Sequence, residues 1–383
     1  MTATLASASA PRSAYSAATA SDAAADELLA RFGDFGLTSP RCIIFFAAVA
    51  HDGAIIGERL QARFPDAQVV GCSGNGEFTD QGWGKSGVAA IALGGDLIAQ
   101  AASVLAVHTP GIESSIADAA QRLGAKLGTE LRLLDPARWV GIALLEGAKG
   151  REEALNEALG NAAPLLSFVG GSAGDNISFT GTWVFAEGRV EKDASVLLVV
   201  EMLTPFTIIK TCNFVATPVE LTITKADTRR RLILEIDGQP AAQRYAEVIG
   251  AKVEELGFAH FLANPLGLMI DGEAWLRSGV RVEGSALFFA CAVLEGVTLQ
   301  LMKATDLVAD ARDALARAAV PIGGPPRAAL LFNCAYRMLE AQLKGVEQPY
   351  HQALSQIVHA GLHTNGESYL GHINQTLTGI IFG

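Results

Sequence analysis

Two short segments near opposite ends of the chain carry the same polar residues at the same spacing. In GCSGNGEF, Gly71 is followed by Asn75 and Glu77, and GLHTNGES repeats this pattern from residue 361 to Glu367. An Asn-Gly pair by itself predicts a tight turn, but a turn does not require the glutamate that follows in both copies. A carboxylate beside a glycine-rich turn can accept hydrogen bonds from the turn's own N–H groups or from a ligand's amine. Both interpretations stay open.

Polar residues crowd the segment that follows the second copy. His372 and Asn374 are expected on one face of a strand, because side chains two residues apart share a face. Arg337 follows the apolar run AALLFNC and could hold an anionic group with two hydrogen bonds. The alternatives are a loop cap for His372 and a surface helix position for Arg337. The predicted ligand-binding residues are Gly71, Ser73, Asn75, Glu77, Ser172, Arg337, His363, Thr364, Glu367 and Asn374.

Ser172 also lies in a pattern that suggests covalent chemistry. Gly170, Ser172 and Gly174 form G-x-S-x-G directly after the apolar run LLSFV, as in a nucleophile elbow. An elbow needs a helix after the serine, whereas DNISFTGTWVF has the alternation and the residue types of a strand. We therefore do not expect an enzyme. A serine hydrolase that uses Ser172 is kept as the alternative.

The two turns belong to a longer unit that the chain repeats. An apolar strand, a helical stretch, the glycine-rich turn and a closing apolar strand run from residue 41 and again from residue 327. A fainter third copy starts at WVGIALL, from residue 139, and reaches its turn in FVGGSAGDNISF, from residue 168. Chains that repeat such a unit usually stack the copies around a shared site. The sequence therefore predicts an α/β fold with mixed sheets, in two pseudo-symmetric lobes whose turns face a common cavity.

Composition excludes several classes of function. The chain of 383 residues is 50% hydrophobic and 18% charged, but its apolar runs are about half as long as a membrane span requires. A net charge of −11 disfavours nucleic acid as a partner, because no basic stripe is present to neutralise phosphates. The five cysteines form no C-x-x-C pair, which disfavours zinc and indicates reduced thiols. We expect no membrane insertion.

The first residues are almost entirely Ala, Ser and Thr, without the apolar core of an export signal. We therefore expect a cytoplasmic protein that begins with a disordered tail and a short helix, residues 1–35. A basic segment at 225–231 is the best candidate for a boundary between domains. The predicted domains are residues 36–226 and residues 227–383.

Several of these segments resemble one known family. VVGCSGNGEF resembles the opening signature of FIST N domains, while LLFNCAYRM, GLHTNGES and HINQTLTGIIFG resemble FIST C domains. The resemblance covers nearly everything after about residue 35. It implies sensory domains that bind small ligands and act on kinases, cyclases or chemotaxis-type signalling proteins. Some stand-alone members are haem-bound nitric oxide sensors that act through a separately encoded histidine kinase or cyclic-di-GMP enzyme. The resemblance therefore brings in haem b as a candidate cofactor and such an enzyme as a candidate partner.

The sequence departs from this family at the last turn. The family commonly has aromatic residues there, of the type GFxTYGE, whereas this chain has Leu362, His363, Thr364 and Asn365. That change replaces stacking contacts with polar ones and puts the ligand class in doubt. Haem would need an axial His, Cys or Tyr and an apolar slot, and His372 is our first candidate for the axial ligand. An interaction scaffold without a ligand is the remaining alternative.

Overall fold

The computed structural model describes residues 9–109, 111–178 and 180–383. The near-continuous apolar runs form buried central strands, as parallel and mixed sheets covered on both faces require. Three sheets have six strands each and one has eight, and the six-stranded sheets combine parallel and antiparallel pairs. The predicted α/β class with mixed sheets is confirmed.

The first part of the chain contains thirteen strands and four α-helices within the described residues. In order these are β1 (Arg12–Ser16), α1 (Ser21–Asp34), β2 (Pro40–Ala48), α2 (Gly53–Arg63), β3 (Gln68–Gly74), β4 (Glu77–Thr79), β5 (Gly82–Gly84), β6 (Val88–Gly94), β7 (Ile98–Val107), α3 (Ile112–Leu127), β8 (Trp139–Leu145), α4 (Glu152–Ala162), β9 (Phe168–Ser172), β10 (Val184–Ala186), β11 (Arg189–Glu191), β12 (Ala194–Met202) and β13 (Phe206–Thr211).

The middle of the chain forms the eight-stranded sheet with two helices. Its elements are β14 (Phe214–Asp227), β15 (Leu232–Ile236), β16 (Gln239–Pro240), α5 (Ala241–Ile249), α6 (Phe258–Ala263), β17 (Leu266–Ile270), β18 (Glu273–Arg277), β19 (Gly279–Glu283), β20 (Ala286–Phe289) and β21 (Thr298–Ala304). The last part returns to the six-stranded sheets. It comprises α7 (Leu307–Ile322), β22 (Ala328–Cys334), α8 (Ala335–Lys344), α9 (Glu347–Leu354), β23 (Val358–Thr364), β24 (Glu367–Tyr369), β25 (His372–Ile373) and β26 (Leu377–Phe382).

The three six-stranded sheets have the same strand order. They run β1-β6-β2-β3-β10-β11, β7-β12-β8-β9-β24-β25 and β13-β26-β22-β23-β4-β5. In each sheet the central parallel pair comes from one repeated unit, but the outer hairpin comes from another. Hairpin β4–β5 pairs with β23, β24–β25 with β9, and β10–β11 with β3. Each glycine-rich turn therefore carries the chain across to a neighbouring sheet. The pseudo-symmetry of two lobes stays a prediction.

Residues 214–304 have a sheet and a core of their own. Tyr245, Phe261 and Phe289 are buried in that core, which is separate from the large cluster that contains Phe46 and Phe332. The predicted domain boundaries stay predictions. In the described part of the chain no helix is long and apolar enough to cross a membrane.

The predicted tail is wrong for residues 12–16. These residues form β1, which pairs antiparallel with β6 and aligns Tyr15 with Ala89. Ala14 is fully buried and Ser16 almost so, because small side chains fit where the strand packs closely beneath α1. Low complexity of composition therefore did not mean disorder here. The short helix at the end of the predicted tail is confirmed as α1, and residues 1–8 lie outside the described part.

Candidate functional site

The three glycine-rich turns meet in the interior. We call residues 73–77, 172–176 and 363–367 corners 1, 2 and 3. In each corner the third residue donates a backbone hydrogen bond to the carbonyl oxygen of the first residue of another corner, and the three bonds close a ring. They are Asn75 N to His363 O at 2.9 Å, Asn365 N to Ser172 O at 3.2 Å, and Gly174 N to Ser73 O at 2.9 Å.

Two asparagine side chains strengthen this ring. The Asn75 side-chain nitrogen donates to the side-chain oxygen of Asn365 at 2.8 Å. The Asn75 oxygen accepts from the backbone N–H groups of Asp175 at 3.1 Å and Ile177 at 2.9 Å. Asn365 in turn donates to the carbonyl oxygen of Gly147 at 2.8 Å. Both asparagines thus link corners, and these contacts account for their presence without a ligand.

Glu367 is fully buried and well supplied with donors. Its carboxylate accepts from the hydroxyl groups of Thr364 and Thr376, each at 2.5 Å, and from the Thr376 N–H at 3.2 Å. Burial raises the pKa of Glu367 to about 7, although these donors and the nearby Arg337 oppose the rise. Glu367 therefore lies in a closed network of protein groups.

Glu77 is equally buried but lacks such donors. Neither of its carboxylate oxygens has a hydrogen-bond partner within the described part of the chain. Burial raises the pKa of Glu77 well above its usual value. The backbone N–H groups of Gly87, Glu77 and Gly76 lower that pKa in part, although none of them completes a hydrogen bond to the carboxylate. The two glutamates that the sequence pairs thus differ in their surroundings.

Other buried side chains also have polar atoms without partners in the described part, and three of them belong to residues near Gly366. The atoms of these three are Ser172 Oγ, both ring nitrogens of His372, and the side-chain oxygen of Asn374. His372 and Asn374 border Gly366 with their side chains, and Ser172 borders it with its backbone. The Ser172 N–H donates to the Gly366 carbonyl oxygen at 2.8 Å. A Cβ atom on Gly366 would lie 2.1 Å from His372 Cε1 and 2.9 Å from Asn374 Nδ2. We call Ser172, His372 and Asn374 the Gly366 cluster.

Glycine is needed at the centre of this cluster. The predicted Cβ contacts at Gly366 are far shorter than van der Waals distance, so any larger residue would displace His372 and Asn374. The Asn374 side-chain nitrogen also donates to the Asn365 carbonyl oxygen at 3.4 Å. Gly366 in corner 3 is therefore in contact with the side chains of His372 and Asn374 and with the backbone of Ser172.

Arg337 belongs to a different network. Its guanidinium is fully buried and bonds to Asp310 at 3.0 Å, Asn213 at 3.1 Å and Asn333 at 3.2 Å. The interpretation of Arg337 as a surface helix residue is wrong, because α8 turns this side chain into the protein. Its contacts are with protein groups, so the structure supplies an internal reason for the residue.

His363 is also held by protein groups. Its Nδ1 lies 2.8 Å from the Asn333 side-chain nitrogen, and its ring packs against Phe78 with centroids 5.0 Å apart. Burial lowers the pKa of His363 well below its usual value, which favours the neutral ring. The remaining predicted residues are structural in their contacts. Gly71 lies inside β3 opposite Phe45, and the Ser73 hydroxyl accepts from the Trp183 N–H at 3.2 Å.

Two surface cavities of about 310 Å³ each lie outside the Gly366 cluster. One is lined by residues of β7 and α3, including Ser115 and Arg122. The other is lined by Lys210, Cys212 and Thr376 among others, and Thr376 connects it to Glu367. Within the described residues no three His, Cys, Asp or Glu side chains are grouped to hold a metal ion.

The surroundings of Ser172 differ from those of a catalytic serine. Strand β9 ends at Ser172, and residues 173–178 and 180–183 contain no helix. The Ser172 hydroxyl has no hydrogen-bonded base in the described part. A strand–turn–helix elbow with an adjacent histidine would be needed to activate the serine.

Two residues of the site were not found from the sequence. Thr376 directly precedes β26 and donates to Glu367. No sequence signal links these two residues, because they become neighbours only when their strands are in place. Tyr15 lies in the segment that was assigned to the tail, and its ring approaches Glu77 closely enough for the carboxylate to contribute to its pKa of about 12, after burial.

Comparison with known proteins finds two family models that match this chain. A family model of the FIST N domain matches residues 41–239, and one of the FIST C domain matches residues 241–369. The chain belongs to the FIST family. FIST domains are sensory domains of signalling proteins, and they bind small ligands.

One curated relative matches this chain over only part of its own length. The chain is similar to an uncharacterized protein of Methanocaldococcus jannaschii, MJ1623, with 26% identity over 289 residues. The match covers 69% of this chain and 54% of that protein. The chain thus spans about half the length of the relative that it matches, and the relative's name adds no function.

Proposed function

We propose that this chain is a small-ligand sensor that acts on a separate signalling partner. The observation that carries the proposal is the Gly366 cluster, where three buried side chains present four polar atoms without partners. Buried polar groups are nearly always hydrogen-bonded, and leaving one unsatisfied costs about 1–3 kcal/mol. A ligand that hydrogen-bonds to these atoms would recover that free energy.

The position of the cluster suggests how binding is transmitted. Ser172 ends β9 of the second unit, whereas His372 and Asn374 follow corner 3 of the last unit. A ligand that contacts all three would therefore fix two units relative to each other. Helix α4 packs against β24 and β25, and the Ser368 hydroxyl donates to Asn156 of this helix at 2.5 Å. A shift in the population of corner arrangements would thus move α4 and change an outer surface.

Native mass spectrometry of the protein purified without added ligand tests the proposal. We expect a small molecule bound to the wild-type protein and lost in Ser172→Ala and Asn374→Leu. Ser114→Ala, which changes an exposed serine on α3, is the matched control and should retain the molecule. A wild-type protein that carries nothing, from its own host or after incubation with a metabolite extract, would favour the interaction scaffold.

The partner and the cellular location are part of the same proposal. The family resemblance suggests a separately encoded histidine kinase or cyclic-di-GMP enzyme in the cytoplasm. Autophosphorylation, or cyclic-di-GMP turnover, of a candidate enzyme should change when this chain is added. The change should disappear with Asn374→Leu if the Gly366 cluster controls the partner.

Haem with nitric oxide as the signal is the second candidate. His372 supports it, because both of its ring nitrogens lack partners and a neutral imidazole is a common axial ligand. The surroundings do not fit haem, however. His372 is buried against Gly366 and Asn374, and it lines neither of the two cavities. A Soret band after haem addition, lost in His372→Leu, would support haem despite this packing.

The hydrolase alternative has its own test. A fluorophosphonate probe would label an activated serine, and the label should be lost in Ser172→Ala. The Ser172 hydroxyl favours binding over catalysis because no base lies within hydrogen-bonding distance in the described residues. Labelling of the wild-type protein at Ser172 would support the enzyme.

A further inference from the structure

The cavity that contains Lys210 lies between two sheets. Part of its wall is the crossover from β13 to β14, residues 210–212 and 214–216, and another part is the β17–β18 hairpin, with Met302 and Thr376 completing it. In the described part of the chain, β13 ends its six-stranded sheet and β18 ends the eight-stranded one. The volume of about 310 Å³ lies at the lower end of the range for small-molecule sites, about 300–1,000 Å³. We call this cavity the β13–β18 cleft.

Lys210 places a nearly buried ammonium group at the cleft. Only 8% of its side chain is exposed. Its Nζ donates to the Ala274 carbonyl oxygen at 3.2 Å and lies 2.8 Å from Glu273 Oε2. It also lies 4.3 Å from the centroid of the Trp275 ring, whose face attracts a cation. Glu273 and Ala274 line the cleft themselves, so the ammonium group lies at its wall.

The carboxylate that pairs with this ammonium group is on the surface. The Glu273 side chain is 66% exposed, and a carboxylate so well hydrated contributes little to an ion pair. Burial of a cation is costly unless a close partner compensates it. A carboxylate inside the cleft would meet Lys210 in surroundings with less water, where the attraction between the charges is stronger.

Lys210 also has a donor to spare. An ammonium group has three N–H donors, and within the described residues Ala274 and Glu273 account for two of them. Two hydroxyl groups of the wall are already engaged, because Thr211 donates to Asp310 and Thr376 donates to Glu367, each at 2.5 Å. Lys210 is therefore the group of the wall best placed to recognise a charged ligand.

Much of the remaining wall is apolar. Phe214, Val215, Met269 and Met302 contribute to it. Val215 is 52% exposed and Met269 36%, and the apolar part of a ligand would remove some of this surface from water. Methionine side chains adapt to partners of different shape. The cleft thus combines one ammonium group with an adaptable apolar surface.

We propose that the β13–β18 cleft binds a small monocarboxylic acid with an apolar body. The carboxylate would bind the Lys210 ammonium group in place of Glu273, and the apolar body would pack against Val215 and Met269. This site is separate from the Gly366 cluster, so the inference goes beyond the proposed function.

A ligand in the cleft would restrain the two sheets relative to each other. The crossover between them is already anchored on another side, where Asn213 bonds to Arg337 at 3.1 Å and to Glu340 at 2.8 Å. The ligand would join Lys210, next to this crossover, to the β17–β18 hairpin.

Isothermal titration calorimetry of the full-length protein with sodium benzoate and sodium 3-methylbutanoate tests the proposal. The matched controls are the two amides, benzamide and 3-methylbutanamide, which have nearly the same shape and no charge. We expect saturable binding of at least one carboxylate, with its amide weaker by about tenfold or more. Equal binding of a carboxylate and its amide, or no binding of either carboxylate at millimolar concentration, would overturn the proposal.

A lysine variant locates the binding. Lys210→Met removes the ammonium group and keeps a long side chain, and it should weaken carboxylate binding by about tenfold or more. Lys225→Met is the control, because Lys225 on β14 is 58% exposed and also pairs with a glutamate, Glu235, at 3.8 Å. It should bind as the wild-type protein does. An unchanged affinity in folded Lys210→Met would refute the site.

Glu273→Gln gives an independent result and keeps the test decisive if Lys210→Met does not fold. The Glu273 side chain is exposed, so the change leaves the packing intact. Removal of the competing carboxylate should tighten carboxylate binding severalfold and leave amide binding unchanged. Unchanged or weaker carboxylate binding would contradict the displacement of Glu273 by the ligand.

The same titrations separate this site from the proposed sensor site. Ser172→Ala and Asn374→Leu, which alter the Gly366 cluster, should bind the carboxylates as the wild-type protein does. Loss of carboxylate binding in these folded variants would place the ligand at the Gly366 cluster and contradict a separate site at the cleft.

Discussion

The side chain of Asn75 donates a 2.8 Å hydrogen bond to the side chain of Asn365, 290 residues further along the chain. The bond joins two glycine-rich turns whose closing hairpins have each crossed to another sheet. It therefore connects elements that no local interaction holds together. The contact accounts for the asparagine that both turns carry at this position.

Replacement of Asn75 should loosen the ring of corners. In Asn75→Ala, the N–H groups of Asp175 and Ile177 lose this acceptor and Asn365 loses a donor. We expect a loss of roughly 2–4 kcal/mol in the free energy of unfolding, measured by urea denaturation. Asn161→Ala, at an exposed position of α4, should change it by less than about 0.5 kcal/mol. Equal losses would contradict the bridging role.

Arg337 should prove important for stability. Arg337→Met removes the fully buried guanidinium from the partly buried Asp310, which keeps its hydrogen bond from the Thr211 hydroxyl. We expect this change to cost about 3 kcal/mol. The exposed Arg312 on α7 provides the control variant Arg312→Met, which should be nearly neutral. Native mass spectrometry of Arg337→Lys separates the roles. If a folded Arg337→Lys protein no longer carries the bound molecule, that loss would support the prediction that Arg337 contacts the ligand.

Buried histidines should make the protein sensitive to acid. Burial lowers the pKa of His351 to about 3, and its ring stacks on Trp83 with centroids 4.3 Å apart. The unfolded chain binds a proton near pH 6.5, so stability is lost as the pH falls below that value. At pH 5 the loss is about 2 kcal/mol for this residue. His351→Phe keeps an aromatic ring and should reduce the fall in the urea midpoint between pH 7 and pH 5. An unchanged fall would contradict the role of His351.

Glu367 should lower the stability of the protein as the pH rises, which is opposite to the effect expected of His351. Its pKa of about 7 in the folded protein lies above the value of about 4.3 for an exposed glutamate. The folded state therefore holds a proton that the unfolded chain releases, and stability falls as the pH rises from about 4.3 to 7. The expected loss is on the order of 3 kcal/mol. In Glu367→Gln this loss should be absent from urea denaturation at pH 5 and 8, and an unchanged pH dependence would contradict the assignment.

The sequence predicted the fold class, because apolar runs and glycine-rich turns are local signals. The repeat also predicted that the turns meet, and they do so through direct hydrogen bonds, whereas the common cavity between them stays a prediction. It could not predict which hairpin joins which sheet. The pairing of β4 with β23 depends on backbone edges that become neighbours only after folding. The environment of Arg337 was missed for the same reason, since Asp310 and Asn213 are distant in the chain.

Strand β1 shows a second limit. Its composition of small residues is typical of disordered segments, yet Ala14 and Ser16 are buried because the adjoining strand and helix leave space only for small side chains. The different surroundings of Glu77 and Glu367 could not be predicted from the sequence either. They depend on the two threonine hydroxyls that donate to Glu367, and such contacts can be identified only when the strand registers are known.

A crystal structure of the protein purified without added ligand, at a resolution that shows ordered water, tests the central claim most directly. We predict non-protein density within hydrogen-bonding distance of Ser172 Oγ, His372 and the side-chain oxygen of Asn374, too large for a single water molecule. Pairing of these atoms with one another or with isolated waters only, in the protein from its own host, would contradict a ligand site at the Gly366 cluster.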